Sequence, residues 1–391
     1  MIHDIHCEFI NHGLYYSYNG DIRHCCIQER LDKNFDILEF ERNPQQFLDN
    51  DHDLSAIAKD IHQGIKNPHC EKCWYNESEG IASYRHHSRN MIRSPSKDPV
   101  IEYIDLRLGN KCNLKCKMCF PTWSNQIHNH FLSAREQGIV NKLNLNLGPD
   151  LYSEESHQKY LDSVLRVILN TPTIKTVALA GGEPFVMPEI EWFLTELINQ
   201  RRTNLRLRIL TNVTVVTDKL LTLLKKFEFV SIHCSIDSVE EDIEYQRFPC
   251  KWSVIENNFN KLYHSGLRTV LGPCFSQLNT LSVLKFLTWA GRYTNTSVFF
   301  NEVTHPSFLN FQLIPMEYRQ ELIKEIEGFI LPSNIDKNFK IFFDKIKNSV
   351  RQITVEEKEE LRAAVDLWDF RSKIKYREKY PWADFLLNYE Q

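Results

Sequence analysis

A chain of 391 residues, 42% apolar and 25% charged, can form one large core with a smaller appendage. Its formal net charge of −4 gives no general polyanion-binding signal, so nothing asks for a nucleic-acid partner. No apolar run approaches the ~20 residues of a membrane span. The opening Met1 to Cys7 lacks the basic and apolar stretches of an export signal, so no membrane and a cytoplasmic, reducing location are expected. Eleven cysteines in that setting point to metal sites or reactive thiols rather than to disulfides.

Five of them fall in residues 1–98: Cys7, Cys25, Cys26, Cys70 and Cys73. Asn19-Gly20-Asp21 is a turn signal between two short β-prone runs, Leu14 to Tyr18 and Ile22 to Ile27. A hairpin there brings Cys7 near the Cys25-Cys26 pair, and a helix from about Leu54 to Gly64 leads on to Cys70-x2-Cys73. One thiolate from the start, one from the hairpin and two from the C-x2-C pair make four sulfurs. Four sulfurs suit zinc or a fully ligated iron-sulfur cluster equally. The nine histidines of this region show no H-x3-H spacing and are assigned nothing. Ser94 to Pro99 is rich in chain breakers and marks a boundary, with a second near Pro306. Three segments result: 1–98, 99–306 and 307–391.

From Val100 to Pro306, strand-like and helix-like segments alternate, the pattern of a parallel α/β barrel or open sheet. Strands are expected near 100–108, 174–180, 204–210, 229–237, 268–275 and 297–304. Helices are expected near 155–170, 187–201, 217–227, 252–265 and 279–292. Directly after the first strand, Cys112, Cys116 and Cys119 stand in a C-x3-C-x2-C loop closed by Phe120. Three thiolates on a short loop can hold three irons of a [4Fe-4S] cluster and leave the fourth open to a substrate or cosubstrate. Taken alone, the loop is also compatible with a zinc knuckle.

Five further features fall at or near expected strand ends, where the chemistry of such folds sits. Gly181-Gly182-Glu183-Pro184 follows the second strand; its glycines permit close backbone approach, and its carboxylate can accept from an ammonium group. Leu205, Leu207 and Ile209 alternate with Arg206 and Arg208, the pattern of a strand at an edge or with one polar face. It ends in Thr211-Asn212, where Asn212 suits an Asx-turn as well as a ligand contact. Between Val230 and Asp237, Ser231, His233, Ser235 and Asp237 share a polar face while Ile232, Cys234 and Ile236 share the other. A polar face on a central strand is expensive unless it lines a ligand cavity, so Ser235 and Asp237 are expected inward and Cys234 in packing. Tyr245-Gln246-Arg247 and Gly272-Pro273-Cys274 complete the set.

The C-x3-C-x2-C loop, the Gly-Gly-Glu-Pro turn, the polar strand and the Y-x-R segment together resemble the radical S-adenosylmethionine (radical SAM) family. That resemblance implies a partial (β/α)6 TIM-like barrel and a [4Fe-4S] cluster on Cys112, Cys116 and Cys119. It also implies SAM held by Phe120, Gly181, Gly182, Glu183, Pro184, Asn212, Ser235, Asp237 and Arg247. One electron, from a donor such as flavodoxin or ferredoxin, is then expected to cleave SAM to methionine and a 5'-deoxyadenosyl radical that abstracts hydrogen from substrate.

The order Cys7, Gly20, Cys25, Cys70-x2-Cys73, Glu77-x-Glu79-Gly80-x2-Ser83-x-Arg85 resembles the twitch/SPASM auxiliary-cluster module, here placed before the barrel. It implies a second [4Fe-4S] cluster, with Cys25 and Cys26 both open as the second ligand. Such relatives modify peptides or small metabolites, so a peptide or small-molecule substrate is expected. Radical SAM action on RNA and a non-enzymatic zinc or iron-sulfur protein are the alternatives. Cys274, at a catalytic strand end, is expected to donate a hydrogen atom to a substrate radical; Cys250 lies in a loop. His305, before Pro306, is a candidate substrate contact or a turn-shaping residue. Beyond it, helices are expected from Pro315 to Ile330 and across 333–375. They precede an apolar tail from Trp382 to Leu387 that docks on the protein or on a partner.

Overall fold

The computed structural model describes residues 5–31, 33–49, 52–93, 95–140 and 154–388. Ser94, at the start of the expected linker, lies outside them. The chain divides into two compact units. The first comprises Met1–Gly109, Leu151–Leu210 and Thr217–Ile232, and the second comprises Asn110–Asp150, Thr211–Val216 and His233–Gln391. Among the described residues no helix is long and apolar enough to cross a membrane.

The first unit is built on strands β1 (Gly13–Ser17), β2 (Ile22–Arg23), β3 (Tyr103–Arg107), β4 (Thr176–Ala180), β5 (Arg206–Thr211) and β6 (Phe229–Cys234), in the order β2-β1-β3-β4-β5-β6. β2 runs antiparallel to β1, and β1, β3, β4 and β5 are parallel neighbours. From β3 onward each strand is added at the same edge, with helices Glu154–Asn170, Glu189–Asn199 and Asp218–Leu224 between them. Sequential addition through crossovers of one hand is the winding of a (β/α) barrel, not of a doubly wound sheet. The expected α/β class with a mostly parallel sheet is therefore what the chain forms.

The hairpin forms at the expected turn, where Gly20 takes φ +82° and a Cβ would sit 2.4 Å from the Phe35 carbonyl oxygen. Its first strand also pairs with β3, so the cysteine-rich segment supplies a strand to the sheet. Period-two alternation then sorts the two faces of the sheet. Ile104, Leu106, Val177, Leu179, Leu207 and Ile209 are all fully buried on one, each contributing on the order of 1.5–3 kcal/mol. On the other, register aligns Tyr15, Asp105, Ala178 and Arg208 in a row across four strands. β5 lies between β4 and β6, so its arginine alternation marks a polar face and not an edge.

The second unit has a ladder of its own. Thr211 O accepts from Ser235 N at 2.8 Å, Cys234 O from Gly272 N at 3.2 Å, and Leu271 O from Phe299 N at 2.9 Å. Strands β7 (Arg268–Leu271) and β9 (Ser297–Val298) pair in parallel, as do β8 (Cys274–Phe275) and β10 (Asn301–Glu302). Phe275, Phe300, Phe339 and Phe342 interlock behind them. Arg319, on helix Met316–Gly328, is fully buried and donates to the carbonyls of Phe311, Gln312, Ile314, Ile346 and Ser349. It gathers loop carbonyls that would otherwise be orphaned. The tail docks on the protein itself: Trp382 is buried and its indole N–H donates to Gln277 Oε1 at 3.0 Å.

Candidate active site

The cysteine loop in the second unit is held as a strap across Gln246–Phe248. Lys115 N donates to Phe248 O at 2.6 Å and Lys117 N to Gln246 O at 2.9 Å. Ser124, which caps helix Asn125–Glu136, also donates its hydroxyl to Leu114 O at 2.7 Å. Asn125 Oδ1 accepts from Cys112 N at 3.1 Å. These bonds put Arg247 directly beneath the thiols.

Arg247 Nη1 lies 3.8 Å from Cys116 Sγ, and its Nε donates to Asp237 Oδ2 at 2.6 Å. Asp237 is fully buried, and its other oxygen accepts from Cys274 N at 2.9 Å. Asn279 Nδ2 closes the group by donating to the Asp237 and Cys274 carbonyls, at 2.9 and 3.0 Å. Three residues singled out from sequence, Asp237, Arg247 and Cys274, thus converge on one side of the cysteine loop. Burial pushes the Cys116 thiol well up, with Arg247 opposing and Cys119 and Cys112 adding to the rise. The Cys119 thiol is pushed to about 12, chiefly by burial and then by Cys112.

Thiols placed this way do not become thiolates unaided; a bound cation must offset the cost. The donor set therefore fits an iron-sulfur cluster. Among the described residues no three His, Cys, Asp or Glu side chains are grouped as a single metal ion requires.

Ser235 sits half-buried at the end of β6, its backbone N–H on Thr211. Asn212 forms an Asx-turn: its Oδ1 accepts from Thr214 N at 2.9 Å. Its Nδ2 donates to Asn113 Oδ1 at 2.9 Å, so Asn212 also pins the cysteine loop. Phe120 stacks on His305 with centroids 5.9 Å apart. Cys234 is buried, as its outward face requires, and Cys250 is buried with its thiol on Ile243 O.

The Gly-Gly-Glu-Pro turn belongs to the first unit. Gly181 takes φ +88°, and a Cβ there would lie 3.1 Å from Arg107 Cα, Leu108 N and Gly109 O. Only glycine lets the turn lie against that strand end. Glu183 is buried and caps the following short helix through Phe185 N at 3.0 Å.

The five N-terminal cysteines separate in the same unit. Cys7, Cys25, Cys70 and Cys73 line one small cavity together with Trp74 and Arg85. Burial raises all four thiols, Cys7 to about 11 and Cys70 to about 12, and neighbouring sulfurs add to the rise at Cys7, Cys25 and Cys70. Cys26 points elsewhere, toward Asp105, Arg107 and Tyr84. The Glu77, Ser83 and Arg85 motif forms a bracket: Arg85 makes a two-pronged pair with Glu77, and Ser83 Oγ donates to Glu77 at 2.6 Å. Arg85 also reaches His6 O at 2.9 Å, tying down the segment that carries Cys7. Among the described residues the cysteines form no disulfide.

A cavity of about 760 Å³ opens in the second unit against the outer side of the cysteine loop. Cys116, Cys119 and Phe120 line it, with His305, Trp368 and Phe370. Sequence reading did not find its far wall. Helix Val355–Asp369 reads only as charged and amphipathic, and the signal available was the aromatic pair Trp368 and Phe370 at its end. Nor did Lys117 stand out. It is buried, with its ammonium 4.1 Å from the Tyr245 ring centroid and 5.4 Å from that of Trp368.

Residues 106–286 match the Radical SAM superfamily model. Over 236 residues the chain is 27% identical to the radical SAM cyclopropyl synthase TigE of Paramaledivibacter caminithermalis, covering 59% of this chain and 47% of that protein. The chain thus spans about half the length of the curated relative it matches. Among solved structures, anSMEcpe with bound AdoMet aligns at 16% identity and TM-score 0.41, over 64% of this chain and 61% of its own. Streptococcus suis SuiB bound to precursor peptide SuiA aligns at 13% identity and TM-score 0.38, over 87% and 78%. Residues 106–286 are accordingly a radical SAM domain, the domain of radical SAM enzymes, and that domain implies a [4Fe-4S] cluster and SAM.

Proposed function

We propose that this radical SAM chain cleaves SAM reductively and abstracts hydrogen from a peptide or small-metabolite substrate, with a second cluster in its N-terminal segment. The observation that carries the reading is the chain of contacts that runs from Cys116 through Arg247 and Asp237 to Cys274. When bound, the cluster supplies the electron that generates a 5'-deoxyadenosyl radical from SAM.

The chain's residues position and shield. Cys112, Cys116 and Cys119 hold three irons, and Arg247 offers a fixed positive charge beside Cys116 for the SAM carboxylate. Gly181, Gly182, Glu183 and Pro184 take the SAM amino group, and Phe120, Asn212, Ser235 and Asp237 complete the cofactor contacts. Cys274, whose backbone is held by Asp237 and Asn279, would give its thiol hydrogen atom to the substrate radical, and the thiyl radical left behind would take one electron from the proposed flavodoxin- or ferredoxin-type donor and one proton from solvent. A cavity of about 760 Å³ beside the cysteine loop, which Cys274 does not line, has the size and apolar lining of a further ligand site. The relative named a cyclopropyl synthase favours carbon-centred radical chemistry on the substrate.

The auxiliary cluster is assigned to Cys7, Cys25, Cys70 and Cys73, because these four share one cavity and Cys26 does not line it. Four thiols that desolvation pushes upward around one cavity fit a cationic group among them. An electron donor of the flavodoxin or ferredoxin type serves the catalytic cluster. Anaerobic reconstitution with iron and sulfide tests the whole reading. The expected result is about eight iron per chain and 5'-deoxyadenosine formed from SAM under reductant. Zinc in the purified chain with no SAM turnover refutes it.

A further inference from the structure

Gln28 is almost completely buried, 2% exposed, and three of its four polar groups are committed. Its carbonyl oxygen accepts from Arg23 Nη1 at 2.6 Å, and its N–H donates to Cys25 O at 3.3 Å. Its side-chain Oε1 accepts from His24 N at 3.1 Å. That last bond sets the amide's orientation: turned over, an NH2 group would face an N–H, donor against donor. Nε2 is left buried with no hydrogen-bond partner, on a side chain that lines the cavity of Cys7, Cys25, Cys70 and Cys73. A buried donor left without a partner keeps its full desolvation cost, so a side chain held this way calls for an acceptor in that cavity. Besides the four cysteines, the cavity is lined by hydrocarbon from Phe9, Ile10, Ile27 and Ile61 and by His24, Trp74 and Arg85. Trp74 N–H and Arg85 are donors, and His24 Nε2 is engaged with Leu54 O, so the sulfurs are the acceptors the cavity offers in number.

We infer that Gln28 donates an N–H···S hydrogen bond to the sulfurs of the auxiliary site, and acts as a positioning residue that sets the properties of the group bound there. The inference rests on the auxiliary cluster proposed above. A reduced iron-sulfur cluster carries one more negative charge than the oxidised one. A fixed N–H dipole on its sulfur stabilises the reduced form and raises the reduction potential. Gln28 immediately follows the ligand-bearing turn, and His24 and Arg23 hold it from the same hairpin. The turn that delivers Cys25 therefore delivers the donor as well.

The test uses the full-length chain carrying Cys112→Ala, Cys116→Ala and Cys119→Ala, so that only the auxiliary site can load. After anaerobic reconstitution about four iron per chain are expected. In that background Gln28→Leu and the longer, donor-free Gln28→Met are compared with Gln28. The readouts are an EPR-monitored redox titration and pulsed EPR for a proton coupling that exchanges in D2O. The midpoint is expected to move to more negative potential in both variants, and one exchangeable coupling is expected to vanish. Either variant that still binds four iron with unchanged midpoint and coupling overturns the role of Gln28. Failure of the parent background to bind iron removes the auxiliary-cluster reading itself, and the iron count alone separates the two outcomes.

Discussion

Arg247→Leu removes one half of an ion pair whose other half cannot reach water. Asp237 is fully buried and loses a 2.6 Å partner, keeping only the Cys274 N–H on its other oxygen. Stripping one partner from a buried pair costs about 3–5 kcal/mol, because the remaining charge is neither solvated nor neutralised. Against a total stability of about 5–15 kcal/mol that loss is large. Asp237→Leu, which leaves the guanidinium uncompensated, is expected to cost a similar amount. The double variant removes both charges, so it should be destabilised by less than the sum of the two, with a coupling of about 0.5–3 kcal/mol. Urea unfolding of the metal-free chain at pH 7 measures all three. Arg247→Lys is expected to restore little, since one ammonium cannot serve Asp237 and Cys116 in the geometry of the guanidinium fork. Strict additivity of the two single losses would refute the view that Asp237 and Arg247 form one unit beneath the cysteine loop.

Two further outcomes follow from the first unit. Cys25→Ser should lower the iron content after reconstitution by about four per chain, whereas Cys26→Ser should leave it unchanged, as measured by colorimetric iron assay. Equal losses in both variants would remove the distinction their environments imply. Glu102 is buried, which by itself would raise its pKa. Hydrogen bonds from Lys175 at 2.8 Å and from Ser96 outweigh that and hold it below its ordinary 4.5. A depressed carboxyl pKa stabilises the fold above the unfolded value and loses that contribution as pH falls through the folded value. Glu102→Gln should therefore be less stable than the parent at pH 7, and the gap should close on acidification below about pH 4. A gap in urea midpoint that persists at low pH would contradict the assignment.

The central chemistry was legible in the chain because its residues are local or periodic. Cys112, Cys116 and Cys119 lie within eight positions. Gly181 is required where backbone approaches backbone at 3.1 Å. Strand alternation alone turned Asp237 inward and left Cys234 in packing. Periodicity also located the parallel strands, since burial on one face leaves its mark at every second residue.

What sequence left open depended on contacts between distant segments. Between Cys25 and Cys26 the spacing from Gly20 favours Cys25, and the surroundings of the two differ: Cys25 lines the cavity of Cys7, Cys70 and Cys73, whereas Cys26 lies by Tyr84 and Asp105. The pairing of β1 with β3, the Asn212–Asn113 bond and the wall supplied by Trp368 and Phe370 join residues about 90 to 250 positions apart in sequence. No local propensity encodes such pairings, because they arise where loops close over a finished sheet. The cysteine loop was thus determined by its own spacing as a place for metal. The buried Asp237–Arg247 pair, the Cys274 thiol and the orphaned amide of Gln28 acquire a role only when the chain brings them to the sulfurs. A charge or a donor has a defined cost only in the surroundings that folding builds around it.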